Sequence, residues 1–171
     1  MMSEKKKFFG KYRGTVVDNV DPQLMGRIMA IVPDVSALLP TSWALPCVPV
    51  ATLQGGVFVI PAIGDGVWIE FEHGDPDYPI WVGGFWSTGA TPPLAALANP
   101  ALPPIILSTI GESAVVVSDS PIPPMIGPGV MLMGGPASFI TVSADGIQIF
   151  APQIEINGIM IVNEGALTVS L

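Results

Sequence analysis

Along most of the chain the apolar positions recur every second residue, with no sustained period of 3.6. Tyr12–Val17 and Arg27–Val32 alternate around a turn zone, Asn19–Gly26, that contains Asp21-Pro22, which predicts a long hairpin over residues 10–33. Trp43–Ala51 reads as extended, with Pro46 and Pro49 suited to an edge or irregular strand. Val57–Pro61 is short and apolar. Gly64-Asp65-Gly66 is a tight turn into Val67–Glu72, and Gly74–Pro79 is a second turn into Ile80–Trp86. Short strands at roughly ten-residue spacing predict a small closed barrel. Helix is expected only in two short stretches, Ser36–Leu39 and Leu94–Ala98, because nineteen glycines and nineteen prolines interrupt every longer window.

The pattern changes after residue 87. Ser87–Pro93, Asn99-Pro100 and Pro103-Pro104 are small, polar or proline-rich and read as a semi-rigid linker over 88–104. Residues 105–171 return to strands, with β-branched Ala114–Val117 and then a Pro/Gly-rich crossing from Pro121 to Pro136. Ile140-Thr-Val142, Ile147-Gln-Ile149 and Ile154-Glu-Ile156 begin seven residues apart, and Leu167-Thr-Val169 repeats the alternation. Such a period suits a coiled coil, but Gly146, Pro152 and Gly158 fall inside it and break a helix. Short strands joined by tight turns, stacked as a β-helix or prism, fit better. Met131–Met133 and Ile159–Val162 fall outside the clean repeat.

Charge sharpens this picture. The six basic residues, Lys5, Lys6, Lys7, Lys11, Arg13 and Arg27, all lie in the first 27 positions, and residues 28–171 carry acidic side chains alone, for a net charge of −8. Edge strands ordinarily use lysine to block unwanted pairing. A β-rich chain without it must hide its edges by closure, by intertwining with copies of itself or by burial in an assembly. Only 12% of residues are charged, where about 25% is usual, while 50% are hydrophobic. The longest apolar stretches, such as Val57–Ile60, fall far short of the roughly 20 residues a membrane helix needs. Lys5–Phe9 is interrupted by Gly10, Lys11 and Arg13 and does not read as a secretory signal. The acidic balance disfavours nucleic acid as a partner. The single cysteine, Cys47, excludes an intrachain disulfide framework. Residues 105–171 alone offer apolar faces and open edges that neighbours must cover, so a homotrimer of intertwined chains is expected.

Several strings in residues 10–86 occur in a telling order: Gly10-Lys-Tyr-Arg-Gly-Thr-Val-Val, Asn19-Val-Asp21-Pro22, Gly26-Arg27-Ile, Val32-Pro33-Asp34, Trp43-Ala, Gly64-Asp65-Gly66-Val67-Trp68, and Glu72-His73-Gly74-Asp75-Pro76-Asp77-Tyr78-Pro79 followed by Gly83 and Trp86. This set resembles the phage baseplate assembly protein V family, an OB-fold domain shared with contractile-tail spikes and the VgrG spikes of type VI secretion. The resemblance implies a trimeric OB-fold collar, with Gly26, Arg27, Trp43, Gly64, Gly66, Gly74, Asp75, Pro76 and Pro79 at motif positions, and a trimeric needle projecting from it. The fold class expected is all-β: an OB-fold barrel followed by an intertwined trimeric β-helix or β-prism needle. The organisation expected is a basic arm over 1–9, a collar over 10–87, a linker over 88–104 and a needle over 105–171. The needle core and trimer contacts would be Ile140, Val142, Ile147, Ile149, Ile154, Ile156, Leu167 and Val169.

No catalytic, cofactor or metal site is expected. Some large spikes of this kind carry a lysozyme domain, but the linker leaves no room for one. Glu70 and Glu72, two apart and expected on one strand face, lack an acid/base context. His73 is the only histidine, sits in a turn and has no G-x-S-x-G string to serve. Iron-binding histidine pairs lie at the tips of some related spikes, and residues 105–171 hold neither His nor Cys. Asp75 reads as a turn former. The implied partners are the tail hub and tube proteins, a PAAR-type tip protein and the envelope met on firing, in a virion baseplate or extracellular injection particle. The other class of reading is a soluble OB-type module binding oligosaccharide or nucleic acid through Trp43, Trp68, Trp81 and Trp86, with a β-solenoid tail.

Overall fold

The computed structural model of the chain describes residues 6–158; the expected repeat members Leu167 and Val169 lie outside them. The chain divides into two compact units, Met1–Ala90 and Thr91–Leu171.

In the first unit the order is β1 (Tyr12–Asp18), β2 (Met29–Ile31), a helical turn α1 (Pro33–Ser36), β3 (Leu45–Pro46), a small hairpin of β4 (Ala51–Thr52) and β5 (Gly55–Gly56), β6 (Gly66–Phe71), a 3-10 turn (Glu72–Gly74) and β7 (Pro79–Phe85). The main sheet runs β2-β1-β6-β7-β3. The expected hairpin of residues 10–33 is present as the antiparallel β1–β2 pair, with Thr15 opposite Ile31. The segment around Trp43 closes the sheet. Ala44 exchanges two backbone hydrogen bonds with Ile28, at 2.8 and 3.2 Å, and the Cys47 amide donates to the Trp81 carbonyl at 2.9 Å. One edge thus meets the other through residues 40–47, and neither is left as a long open template. This curled all-β sheet fits an OB-fold domain. Its core is Val16, Ile28, Ala30, Val32, Ala44, Val67, Ile69, Phe71 and Trp81. Alternation puts Val67, Ile69 and Phe71 inside and Trp68 and Glu70 outside. Val57–Pro61, expected as a strand, is irregular, and the residues just before it form the β4–β5 hairpin.

The second unit begins with a helical turn α2 (Pro93–Ala96) and continues as β8 (Ile105–Ser108), β9 (Ser113–Ser118), β10 (Gly129–Gly134), β11 (Phe139–Ser143) and β12 (Gly146–Phe150). These five strands form an antiparallel meander in chain order. Ala114, Val116 and Met131 project from one face and are buried with Ile122 and Met125 from the connection between β9 and β10, against which Leu94, Ala98, Ile106, Met133 and Phe139 pack. The Pro/Gly-rich crossing is therefore shorter than expected, because Val130–Met133 is a central strand within it. Ile154–Ile156 alternates in sequence but forms no strand here.

Candidate functional site

Each unit presents one surface feature its own fold leaves unexplained. In the second unit it is the other face of the meander. The strand register sets two rows of aliphatic side chains across all five strands. One row is Ile105, Val117, Val130, Val142 and Ile147; the next is Leu107, Val115, Leu132, Ile140 and Ile149. Every side chain in both rows is exposed, from 39 to 68%. Directly opposite pairs in a ladder lie in contact, so each row is continuous. No charged residue interrupts either row, and the acidic residues described in this unit, Glu112, Asp119, Asp145 and Glu155, lie exposed off the rows. Soluble chains rarely expose apolar patches of this extent without covering them by a partner.

The expected needle contacts thus divide. Ile140, Val142, Ile147 and Ile149 stand together in the two rows. Ile154 and Ile156 follow β12 outside any strand and are exposed. Sequence reading alone missed Ile105, Leu107, Val115, Val117, Val130 and Leu132, which complete the surface. For the last four the signal was present as alternation within Ser113–Ser118 and Gly129–Gly134, but methionine on the buried face made Val130–Met133 an unbroken apolar run.

In the first unit the residues expected at motif positions build the turns that frame the barrel. Asp21 is buried and accepts hydrogen bonds from the backbone amides of Gln23, Met25 and Arg27 at 2.9, 2.8 and 3.3 Å. The Arg27 guanidinium donates to the same carboxylate through Nε at 3.0 Å and Nη2 at 2.6 Å. Arg27 holds the Asp21 carboxyl well below the usual carboxylate range; burial opposes this, and the three amides reinforce it. The guanidinium also lies 5.5 Å from the Trp43 ring centre, and the Trp81 indole donates to the Gly26 carbonyl at 3.1 Å. Gly26, Arg27, Trp43 and Trp81 are thereby one locked cluster.

Gly64 lies in the turn that ends with Gly66, the first residue of β6; a Cβ at Gly66 would come 2.5 Å from the Phe85 ring. The Gly74 carbonyl accepts from the Phe8 amide at 2.8 Å. Asp75 caps its own turn by accepting from the Asp77 amide at 3.1 Å and faces Lys7 at 4.0 Å. Pro76 follows in that loop, and Pro79 opens β7, opposite Phe71.

Glu70 and Glu72 do not share a strand face. Glu70 is on β6 and pairs with Lys11 at 2.5 Å, whereas β6 ends at Phe71 and Glu72 starts the 3-10 turn. The tight turn that carries His73 at a φ of 50° ends the alternation one residue early. Among the described residues no three His, Cys, Asp or Glu side chains gather as a metal would require. The four tryptophans do not form one stacking platform. Trp81 is buried in the core, Trp43 lies beneath Arg27, Trp68 packs with Phe85 beside Arg13 at 5.1 Å, and Trp86 is exposed.

Residues 12–86 match the family of Type VI secretion system/phage-baseplate injector OB domains. No curated protein matches the chain. The matched range covers β1 through β7 and stops before the second unit.

Proposed function

From the match of residues 12–86 to the type VI secretion and phage-baseplate injector OB-domain family, we propose that the chain is the non-enzymatic central spike of a contractile injection machine. The match supports a structural role among baseplate and injection-system tail components. In our reading the barrel is a collar that joins tail hub and tube. Residues 105–171 form a needle driven into a target envelope when the sheath contracts, and a PAAR-type protein sharpens its end.

One observation carries the needle: the two uncovered aliphatic rows on the meander. Three copies turning these rows inward make a triangular prism with a dry aliphatic interior, and a count of three is what the likeness of the collar to its family implies. Burial contributes roughly 25 cal/mol per Å² of apolar surface removed from water, so ten such side chains per copy supply a large driving force. A prism filled this way transmits thrust because close-packed aliphatic cores are poorly compressible. It also removes the reason for surface lysine on the strands.

Light scattering on the purified chain, repeated after exposure to SDS without boiling, tests this. A mass of three chains that survives SDS is expected. A single chain under native conditions would overturn the prism. A mass of two would replace it by a face-to-face sandwich.

A further inference from the structure

The first unit holds an apolar hole and an apolar knob side by side. The hole is a cavity of about 410 Å³, lined chiefly by Met25, Val48, Val50, Val57, Phe58 and Trp81. Gln54, Gly55 and Gly56 of the β4–β5 hairpin form part of its wall. The knob is Leu53 at the tip of that hairpin, 96% exposed, the most exposed large apolar side chain among the described residues. Nothing in the barrel's own core needs this hairpin, whose residues are all exposed. The surroundings are unusual as well: residues 35–64 contain no charged side chain. An exposed leucine beside an open apolar cavity, on an uncharged surface, has the form of an interface anchor and its receiving pocket.

We propose that the Leu53 knob of one copy fills the Met25–Phe58–Trp81 cavity of the next, closing the collar as a ring; this rests on the trimeric spike reading. The occupant follows from symmetry. A knob on one patch that enters a hole on another patch makes a heterologous contact, and such contacts either close into a ring or run on as a fibre. In a threefold ring the distance from knob to hole within one chain equals the chord of one third of a turn, so a short distance places the contact close to the axis. Because the hairpin that bears Leu53 also walls the cavity, the offset is short. Three hairpins then surround the axis, each seated in its neighbour. The absence of charge over residues 35–64 suits this arrangement, because like charges brought together three times near an axis repel.

Disulfide trapping on the full chain tests the contact. Cys47, the single native cysteine, is replaced by serine, and Leu53→Cys is combined with Met25→Cys; Met25 lines the cavity and is itself 50% exposed, so both positions tolerate the change. Mild oxidation is expected to give covalent trimers on a non-reducing gel after boiling, whereas either cysteine alone, with one thiol per chain, can join two copies at most. Native mass is measured in parallel by light scattering. A trimer that fails to cross-link in the double variant overturns the knob-and-hole contact and leaves the spike reading standing. A single-chain mass removes the spike reading and the contact with it.

Discussion

In the first unit Val16, Ile28, Val67 and Ile69 lose essentially all contact with solvent within one chain, and residues 40–47 tie the two sheet edges together. In the second, the same kind of alternating aliphatic strands leave ten side chains exposed on one face, with β8 and β12 at the ends of the strand order. Both are five-stranded sheets, so strand count does not separate them. Closure does. A sheet that curls brings its apolar face against itself, whereas a meander in chain order faces outward wherever loops do not fold back over it. Ile122 and Met125 cover one face in that manner, and nothing among the described residues covers the other. The proposed collar and needle would differ in the same way: the first would fold before assembly, and the second would complete itself only by assembling.

The strongest way to break this comparison is to charge the uncovered face. Ile140 is central in its row, opposite Leu132 on one side and Ile149 on the other. Ile140→Asp is expected to drop the native mass from three chains to one, because three unpaired carboxylates would meet inside the prism and each buried ion costs several kcal/mol. The tryptophan fluorescence of the barrel should stay unchanged. A trimer that persists would mean the rows are not the interface.

The next effect comes from the other side of the comparison. Ile69 is fully buried in the barrel core. Ile69→Ala should cost about 2–5 kcal/mol, read as a lower urea midpoint for the barrel transition. The mass of the assembly should not change. Loss of the trimer on this substitution would mean that the needle depends on the barrel and does not complete itself.

A smaller effect tests the register that aligns the rows. Gly129 opens β10 between Ser118 and Ser143, and a Cβ there would run into the Val142 carbonyl. Gly129→Ala is expected to cost about 1–3 kcal/mol by displacing β11 against β10, lowering the melting temperature of the second unit alone. An unchanged melting curve would show that the meander absorbs the shift, and with it that the row alignment is loose.

The barrel was the more legible half of the sequence because its signals are local. Gly64-Asp65-Gly66 and Gly74–Pro79 punctuate strands whose inward and outward residues differ in polarity, as in Val67–Phe71. The Asp21–Arg27 clamp was hidden behind an Asp-Pro turn, since sequence shows the turn and not the five donors that converge on one carboxylate. In the second unit, period two located Ile140–Val142 and Ile147–Ile149 but could not say which face would be buried. Thr141 is buried and its isoleucine and valine neighbours are exposed, the reverse of what polarity suggests for a single chain. Strand β10 was read as part of a crossing because valine, leucine and methionine leave no polar beat to mark alternation. Ile154–Ile156 has the beat and no strand, because alternation describes a face while a strand also needs a hydrogen-bonding neighbour.

The smallest effect near neutral pH, and the one that separates the units most cleanly, lies in the acid limb of stability. Arg27 and three amides lower the Asp21 carboxyl in the folded barrel, so the unfolded chain binds that proton more readily. A lowered folded-state value means the contribution is fully present above the ordinary carboxylate range, near about 4, and is lost as pH falls from there towards the folded value. Between pH 7 and 5 the barrel transition should therefore hold steady, and below about pH 4 it should decline. Asp21→Asn should lower the transition at neutral pH and flatten that decline, because asparagine has no proton to gain. Among the described residues of the second unit the acidic side chains, Glu112, Asp119, Asp145 and Glu155, are all exposed. Its transition should not fall in the same window. Two transitions that diverge on acidification, with the barrel alone moving down, would fix the ion-paired and the aliphatic halves as separate cooperative units. A common shift would mean that they melt as one.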